Sequence, residues 1–368
     1  MNQPEPSILK RAARGLYGKW CDLRTWPSTL APRVNGVAVH YAGAKKWGAG
    51  GPRVKVRRLM QHFPEANWRF NLVYVLSSSS YLSESTILRL KRRGIPIVHN
   101  QNGTFYPAWY GGDWRGENQR MAYSYHLADM VFYQSRYCQE AANQHLGERK
   151  GAGEVLYNAV DTKRFVPKQF KKNGELIRFL VTGRFGWHQH YRLETSIAGL
   201  HLARCEGLDA RLVIAGHFDP QSIQLIQEQI KRLEIQNAVT ILGPYSQDDA
   251  PEIYQGSDIF LTTTHQDSCP NAVLEAMACG LPVLHSGNGG VPELTGPNAG
   301  VGLECPADWE TPRPPTAEAI GEGMVAIAKT HESMGRAARD RAVERFDLKP
   351  WIRRHQEVFQ ALLNESAI

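Results

Sequence analysis

Nine short apolar runs rich in β-branched and aromatic residues punctuate the chain, at residues 37–41, 70–76, 95–99, 130–134, 177–182, 212–215, 239–242, 259–262 and 282–285, with helix-length segments between most of them. Strands that are apolar without interruption, alternating with helices, read as parallel sheets covered on both faces, since such strands have no solvated side. The predicted class is α/β, doubly wound. At 368 residues, two domains are favoured over one.

The alternation breaks at VPKQFKKNGELI, residues 166–177, a polar stretch holding Pro167 and Gly174. It reads as a linker between two domains, residues 1–166 and residues 177–348. The last segment, residues 349–368, carries Trp351, Ile352, Val358, Phe359 and Leu362 at helical spacing and is expected to dock an apolar face. Ligands of open α/β sheets bind outside the carboxyl ends of the strands, so that edge is where chemistry is expected.

Charge is unevenly divided. Residues 1–165 carry 24 Lys+Arg against 11 Asp+Glu, a net of +13, while the remainder is net −6. A basic half suits an anionic membrane surface or an acidic substrate, and equally a solvated face with no partner. Nucleic acid has no stacking or groove-reading motif behind it. The stretch 8–20, with Lys10, Arg11, Arg14 and Lys19 among Ile8, Leu9, Leu16 and Trp20, fits either peripheral membrane contact or an ordinary capping helix. No apolar run reaches the length of a membrane span and no secretory signal is evident, so a cytoplasmic location is expected, with peripheral attachment to the inner face of a membrane as an extension. Six scattered cysteines without a CxxC pair read as reduced thiols.

The most informative stretch is HQDSCPNAVLEAMACGLPVL, residues 265–284. Ser268 as N-cap, Pro270 in the first turn, Gly280 at the C-terminal cap and Pro282 beyond it predict a helix of about ten residues. It is apolar on nearly every side, with Glu275 as its one charge. Burying an unpaired carboxylate costs several kcal/mol, so Glu275 requires a cation, several hydrogen-bond donors or a polar cavity. Helix N-termini bind phosphate, and Glu275 lies about 7.5 Å along the axis at ~1.5 Å per residue. That separation can bridge a diphosphate and a ribose diol, though pairing with an internal arginine would also satisfy the acid.

At this point the residues resemble the retaining glycosyltransferases of family 4, with the GT-B fold of two Rossmann-like domains. The paired-acid signature appears as Asp267-x7-Glu275 followed by Ala276, Met277, Ala278, Cys279, Gly280, Leu281, Pro282 and Val283. Residues 289–293 (GGVPE), 158–167 (NAVDTKRFVP) and 181–184 (VTGR) resemble further family segments in the proper order. The resemblance implies that Glu275 holds the donor ribose and that the amides around Ser268, Cys269, Asn271 and Ala272 hold the diphosphate. Asp267 would touch the donor sugar, Arg184 would face the phosphates, and Tyr245 would lie near the base. Gly50 and Gly51 resemble the glycine-rich loop of the first domain. The final helix would cross back onto that first domain.

Three departures stand out, the first being Asp267 in place of the family's glutamate, which keeps the charge but shortens the reach by one methylene. Where the family usually places a phosphate-binding lysine, the chain reads RFGWHQHYR, with Gln189 and His190; Arg192 is the candidate substitute. Where the family often has a histidine before glycine, the chain has Asn102, which cannot act as a base, with His99 three residues earlier. The retaining scheme implied by the family lets the departing phosphate take the acceptor proton, which asks for electrostatic stabilisation and placement rather than a protein nucleophile. The expected function is transfer of a sugar from a nucleotide-diphosphate sugar to a glycan or lipid-linked acceptor, as in polysaccharide biosynthesis, with no metal and no cofactor beyond that co-substrate. The alternative is a noncatalytic nucleotide-sugar-binding or partner subunit.

Overall fold

A computed structural model describes residues 8–30, 34–44, 51–79, 81–168 and 176–366. The chain divides into two compact units: residues 2–158 with 349–368, and residues 159–348. The division falls earlier than the expected 166. Residues 159–165 belong with the second unit because Val160 bridges Asp347, while Arg339 donates to the carbonyls of Thr162 (3.0 Å) and Phe165 (2.8 Å).

The first unit is a parallel sheet of β1 (Val39–His40), β2 (Leu72–Leu76), β3 (Ile97–Gln101), β4 (Met130–Tyr133) and β5 (Ala152–Val155), in that spatial order. Strands β2, β3 and β4 are buried throughout; β2 and β4 are apolar without interruption, whereas β3, IVHNQ, buries His99, Asn100 and Gln101 as well. Alternate residues feed two cores. Val73, Val75, Val131 and Tyr133 pack with Ile87, Leu90, Tyr125 and Ala142 on one face. On the other, Tyr74 and Phe132 meet the final helix, Leu348–Glu365.

That helix docks through Trp351, Ile352, Val358 and Phe359, as its spacing predicts, and also through His355, which the apolar pattern passes over. The His355 ring lies 3.1 Å from the Tyr74 hydroxyl and its Nδ1 donates to Trp351 O. Phe359 packs on Phe63 and Tyr74, and Arg354 grips Glu154 on β5 with two hydrogen bonds of 2.8 and 2.7 Å.

The second unit is a six-stranded parallel sheet: β6 (Ile177–Phe185), β7 (Ala210–Phe218), β8 (Val239–Leu242), β9 (Ile259–Thr262), β10 (Val283–Ser286) and β11 (Gly300–Leu303), in the order β11-β10-β9-β6-β7-β8. Chain order runs outward from β6 through β7 to β8, then returns to the centre with β9 and runs outward the other way. This is the doubly wound arrangement, and its reversal between β6 and β9 leaves a crevice at the carboxyl ends of those strands. Both sheets agree with the predicted α/β class. Strands β5 and β11 were not expected, because AGEV and GVGL are short, glycine-bearing edge segments with little apolar signal.

Three histidines of the first unit are buried and kept neutral. Burial lowers His40 and His99 to about 4 and His355 to about 3, with the charges of Arg24, Arg149 and Lys55 respectively acting in the same direction. Below the unfolded value near 6.5 the unfolded chain takes up protons that the folded unit refuses. Stability is therefore full above that pH and is lost as pH falls toward 4, by about 2 kcal/mol per histidine at pH 5. Urea unfolding followed by amide exchange in β2 and β3 should show a clearly lower midpoint at pH 5.0 than at 7.5; equal midpoints would contradict the assignment.

Candidate active site

The carboxyl ends of β6 and β9 gather most of the residues singled out in the second half of the sequence. The β6–β7 ladder ends in the pairs Gly183↔Gly216, Arg184↔His217 and Phe185↔Phe218. Gly216 has φ +142, and a Cβ there would meet Gly183 O at 1.9 Å, so only glycine lets the two strand ends approach this closely. Arg184 stands exposed at the end of β6.

Eight residues on, Arg192 lies in the first turn of the helix Tyr191–Cys205 and is 6% exposed. Its guanidinium stacks over Phe185 at 5.1 Å, donates to Thr182 O at 3.3 Å, and reaches Gln189 Oε1 at 3.4 Å. Its Nε has no hydrogen-bond partner among the described residues. Burial works against its charge, while the neighbouring Tyr191 and Asp267 favour it. Gln189, in the place where a lysine was expected, thus helps position an arginine.

After β9 the chain turns sharply. Gln266 adopts φ +50, a strained value for a residue with a side chain, and several bonds hold it there. Gln266 N donates to Asn288 Oδ1 (3.0 Å), its Oε1 accepts from Asp308 N (2.8 Å), and Gly290 N donates to Asp267 O (2.8 Å). His265 N donates to the Tyr191 hydroxyl at 3.1 Å, tying this loop to the Arg192 helix. Asp267 is raised above the usual carboxylate range by burial, with the Arg192 charge and the amides of Cys269 and Ser268 opposing the shift.

The helix that follows is Asn271–Ala278, eight residues rather than ten. Ser268 is not its cap. Pro270 occupies that position in an extended conformation and has no side-chain acceptor to offer the first turn, while the Ser268 and Cys269 amides ahead of it turn to the Asp267 carboxylate. The amides at the helix mouth around Asn271 and Ala272 therefore lack the usual side-chain cap. The C-terminus ends as predicted: Gly280, at φ +78, donates to Met277 O and Leu281 N donates to Ala276 O.

Glu275 is 6% exposed and satisfied by neutral donors, Gln247 Nε2 to Oε1 at 3.0 Å and the Tyr254 hydroxyl to Oε2 at 3.2 Å. Its charge pushes up the already desolvated hydroxyls of Tyr254 and Tyr245, which also bond through Thr182. Gln247 and Tyr254 were not foreseen, since they lie 28 and 21 residues upstream with no local spacing that marks them. Tyr245 sits half-buried just beyond β8, beside this cluster.

In the first unit, Asn102 follows β3 and is gripped by Lys55 Nζ (3.3 Å), Gln134 Nε2 and the Ser77 hydroxyl (2.9 Å to its amide). His99 is fully buried inside the sheet, with Nε2 on Gln101 Oε1 at 2.8 Å. Gly51 opens the helix Gly51–His62; Gly50 lies outside the described residues. No cluster of metal-ligating side chains occurs among the described residues.

Residues 162–339 match the family described as glycosyl transferases group 1, and residues 24–164 match glycosyltransferase family 4. The chain belongs to the family 4 glycosyltransferases. It is 27% identical over 161 residues to N-acetyl-alpha-D-glucosaminyl L-malate synthase of Bacillus anthracis, an alignment covering 43% of this chain and 39% of that protein. It is 26% identical over 136 residues to the mannosylfructose-phosphate synthase of Agrobacterium fabrum, covering 35% and 29% respectively. The chain thus spans well under half the length of these curated relatives. The solved structure of Anabaena Alr3699/HepE in complex with UDP superposes with a TM-score of 0.63 at 17% identity, over 84% of this chain and 81% of that one. The sucrose-phosphate synthase of Thermosynechococcus elongatus gives the same score, over 81% and 75%. These neighbours place the family 4 chain in the GT-B fold.

The close approach of β6 and β7 gives a direct test. Gly216→Ala should lower the stability of the second unit by about 3 kcal/mol, read as an earlier transition in denaturant unfolding; a wild-type midpoint would mean that the strand ends are not locked.

Proposed function

We propose that this glycosyltransferase moves a sugar from a nucleoside diphosphate sugar to a saccharide acceptor with retention of configuration, without a metal ion. The observation that carries the reading is Glu275: a carboxylate buried at the sheet's reversal point, oriented by Gln247 and Tyr254, on a helix whose mouth has no side-chain cap. A ribose diol can donate to the carboxylate, a diphosphate can take the helix amides, and Arg184 and Arg192 supply positive charge.

Asp267, held by its own loop and biased toward its protonated form by burial, would contact the donor sugar. No side chain is cast as nucleophile. Catalysis rests on holding the leaving diphosphate among preorganised donors, with the acceptor hydroxyl passing its proton to it. UDP is the nucleotide to try first, since a solved neighbour holds it. The noncatalytic alternative, motivated by Gln189, His190 and Asn102, is weakened by the buried arginine that Gln189 helps orient.

Calorimetry with UDP, GDP and ADP in buffer containing EDTA tests the donor site. Glu275→Ala and Arg184→Ala are each expected to weaken binding of the preferred nucleotide at least tenfold, about 1.4 kcal/mol. Unchanged affinity in folded variants would remove the basis of the assignment, and binding without diphosphate release under any acceptor would favour the noncatalytic reading.

We further propose peripheral contact with an anionic membrane through the first unit. Trp20, Leu23, Trp26, Leu30 and Trp68 are exposed, Arg24 stacks over both Trp20 (4.5 Å) and Trp68 (5.9 Å), and Arg89 stacks over Trp26 (4.3 Å). Rings pinned beside cations suit an interface with acidic headgroups. No helix among the described residues is long and apolar enough to cross a membrane. Sedimentation with phosphatidylserine-containing vesicles should pull down the protein, and Trp20→Ala/Trp26→Ala should reduce the bound fraction several-fold; equal binding to neutral vesicles would refute the charge component.

A further inference from the structure

Residues 161–166, DTKRFV, stand near the start of the second unit and form a tight turn, with Arg164 N and Phe165 N both donating to Asp161 O, at 3.1 and 2.9 Å. The turn is fastened to the elements around Glu275. Arg339, in the helix His331–Arg345, holds the carbonyls of Thr162 and Phe165, and the same guanidinium donates to Ala278 O (2.7 Å), the last residue of the Glu275 helix. Gln255 Nε2 donates to Val166 O at 2.9 Å.

Two consecutive residues of this turn reach the two residues that hold the Glu275 carboxylate. Arg164 Nη2 donates to Gln247 O and to Asp248 Oδ1 (2.8 Å), and Gln247 Nε2 donates to Glu275 Oε1 (3.0 Å). The Phe165 ring meets Tyr254 edge-on at 6.0 Å, and the Tyr254 hydroxyl donates to Glu275 Oε2 (3.2 Å). The two routes therefore end on opposite oxygens of one carboxylate. Phe165 and Tyr254 are buried, so packing fixes that route. Gln247 lies on a surface turn closed by Ser246, whose hydroxyl accepts from the amides of Asp248 (3.2 Å) and Asp249 (3.3 Å).

We propose that Arg164 is a positioning residue for the donor ribose: by bonding the Gln247 carbonyl it fixes the turn from which the Gln247 amide orients Glu275, and a nucleotide held by Glu275 steadies residues 161–166 in return. The inference rests on the nucleoside diphosphate reading above. A glutamine amide stands several torsions away from its backbone, so its aim depends on where that backbone is held. The Arg164–Asp248 ion pair does not carry the effect, because Asp248 is 92% exposed and such pairs contribute little. The bond to the Gln247 carbonyl carries it, since it acts on the residue that touches Glu275. Lys163 brings the same charge to the same turn without a side-chain bond among the described residues, so it separates charge from position. Coupling between two sites is reciprocal: a ligand that grips Glu275 through its ribose hydroxyls strengthens the turn as much as the turn strengthens the grip.

The test uses the full chain, whichever of UDP, GDP and ADP it binds most tightly, and the 2′,3′-dideoxy form of that nucleotide. In the wild-type chain, loss of the ribose hydroxyls should weaken binding about tenfold by calorimetry. Arg164→Ala should weaken the ribonucleotide about fivefold and leave the dideoxy form within about twofold, while Lys163→Ala leaves both within about twofold. Arg164→Ala added to Gln247→Ala should cost nothing further, because both act through one contact. Without any substitution, saturating ribonucleotide should slow hydrogen exchange at the Arg164 and Phe165 amides several-fold more than the dideoxy form does at equal saturation. Equal weakening of both nucleotides by Arg164→Ala, the same loss in Lys163→Ala, full additivity with Gln247→Ala, or exchange that ignores the ribose hydroxyls would each overturn the positioning role and leave the donor site intact. A wild-type chain that binds no nucleotide, or binds both forms equally, would remove the ribose role of Glu275 and this proposal with it.

Discussion

The reversal of strand order between β6 and β9 is the constraint on which the second unit depends. Parallel strands that fan outward in two directions from a central pair leave no crossing connection above that pair, so the carboxyl ends of β6 and β9 open onto a crevice. Arg184 and Arg192 arrive there from β6 and the helix after it, and Asp267 and Glu275 arrive from β9 and the helix after it. The two groups are 75 or more residues apart in sequence, and the sheet alone brings them together. The fit is tight: Gly183 and Gly216 let the strand ends meet, and the Tyr191 hydroxyl accepts from His265 N to join the two halves.

Electrostatics explains why such a crevice holds charged side chains at all. A buried carboxylate or guanidinium loses several kcal/mol of hydration, and a purely structural role would be served more cheaply by apolar residues of similar volume. Among the contacts of Glu275 are Gln247 and Tyr254, and among those of Arg192 are Thr182, Gln189 and the Phe185 ring, neutral partners that orient each charge. Charges fixed in orientation by neutral donors and acceptors need little reorganisation when a ligand arrives, which is what the proposed donor site asks for.

How much of this could be read from the sequence depended on range. Strands β2, β4, β9 and much of β6 and β7 were legible because burial on both faces leaves apolar runs, and the C-terminus of the Glu275 helix was legible because Gly280 must adopt positive φ. Edge strands β5 and β11 were not, having too few apolar residues to register. At the start of the same helix, local rules chose Ser268 as cap, whereas the helix begins two residues later behind Pro270, and the Ser268 and Cys269 amides lie with the Asp267 carboxylate in the preceding loop. Gln247, Tyr254 and His355 were invisible for a related reason. Each completes a polar contact whose other half lies many residues away, and no periodicity encodes such a pairing.

The first sheet differs in a way that bears on how it can bind anything. Its strands follow one another in space as they do in sequence, from β1 to β5, so the described strands contain no reversal and no ready-made crevice at their carboxyl ends. Any site there has to be built by the segments that leave the strands. The sequence between β3 and the helix Trp114–Leu127 has the composition for that purpose, dense in rings and fixed by Asn118, and its neighbour Asn102 is anchored by a lysine that is itself only 4% exposed and bonded to Asn100 at 2.6 Å. A rigid polar floor under an aromatic wall follows from this topology: where the sheet offers no cleft, the loop supplies the shape and the buried network beneath it supplies the stiffness.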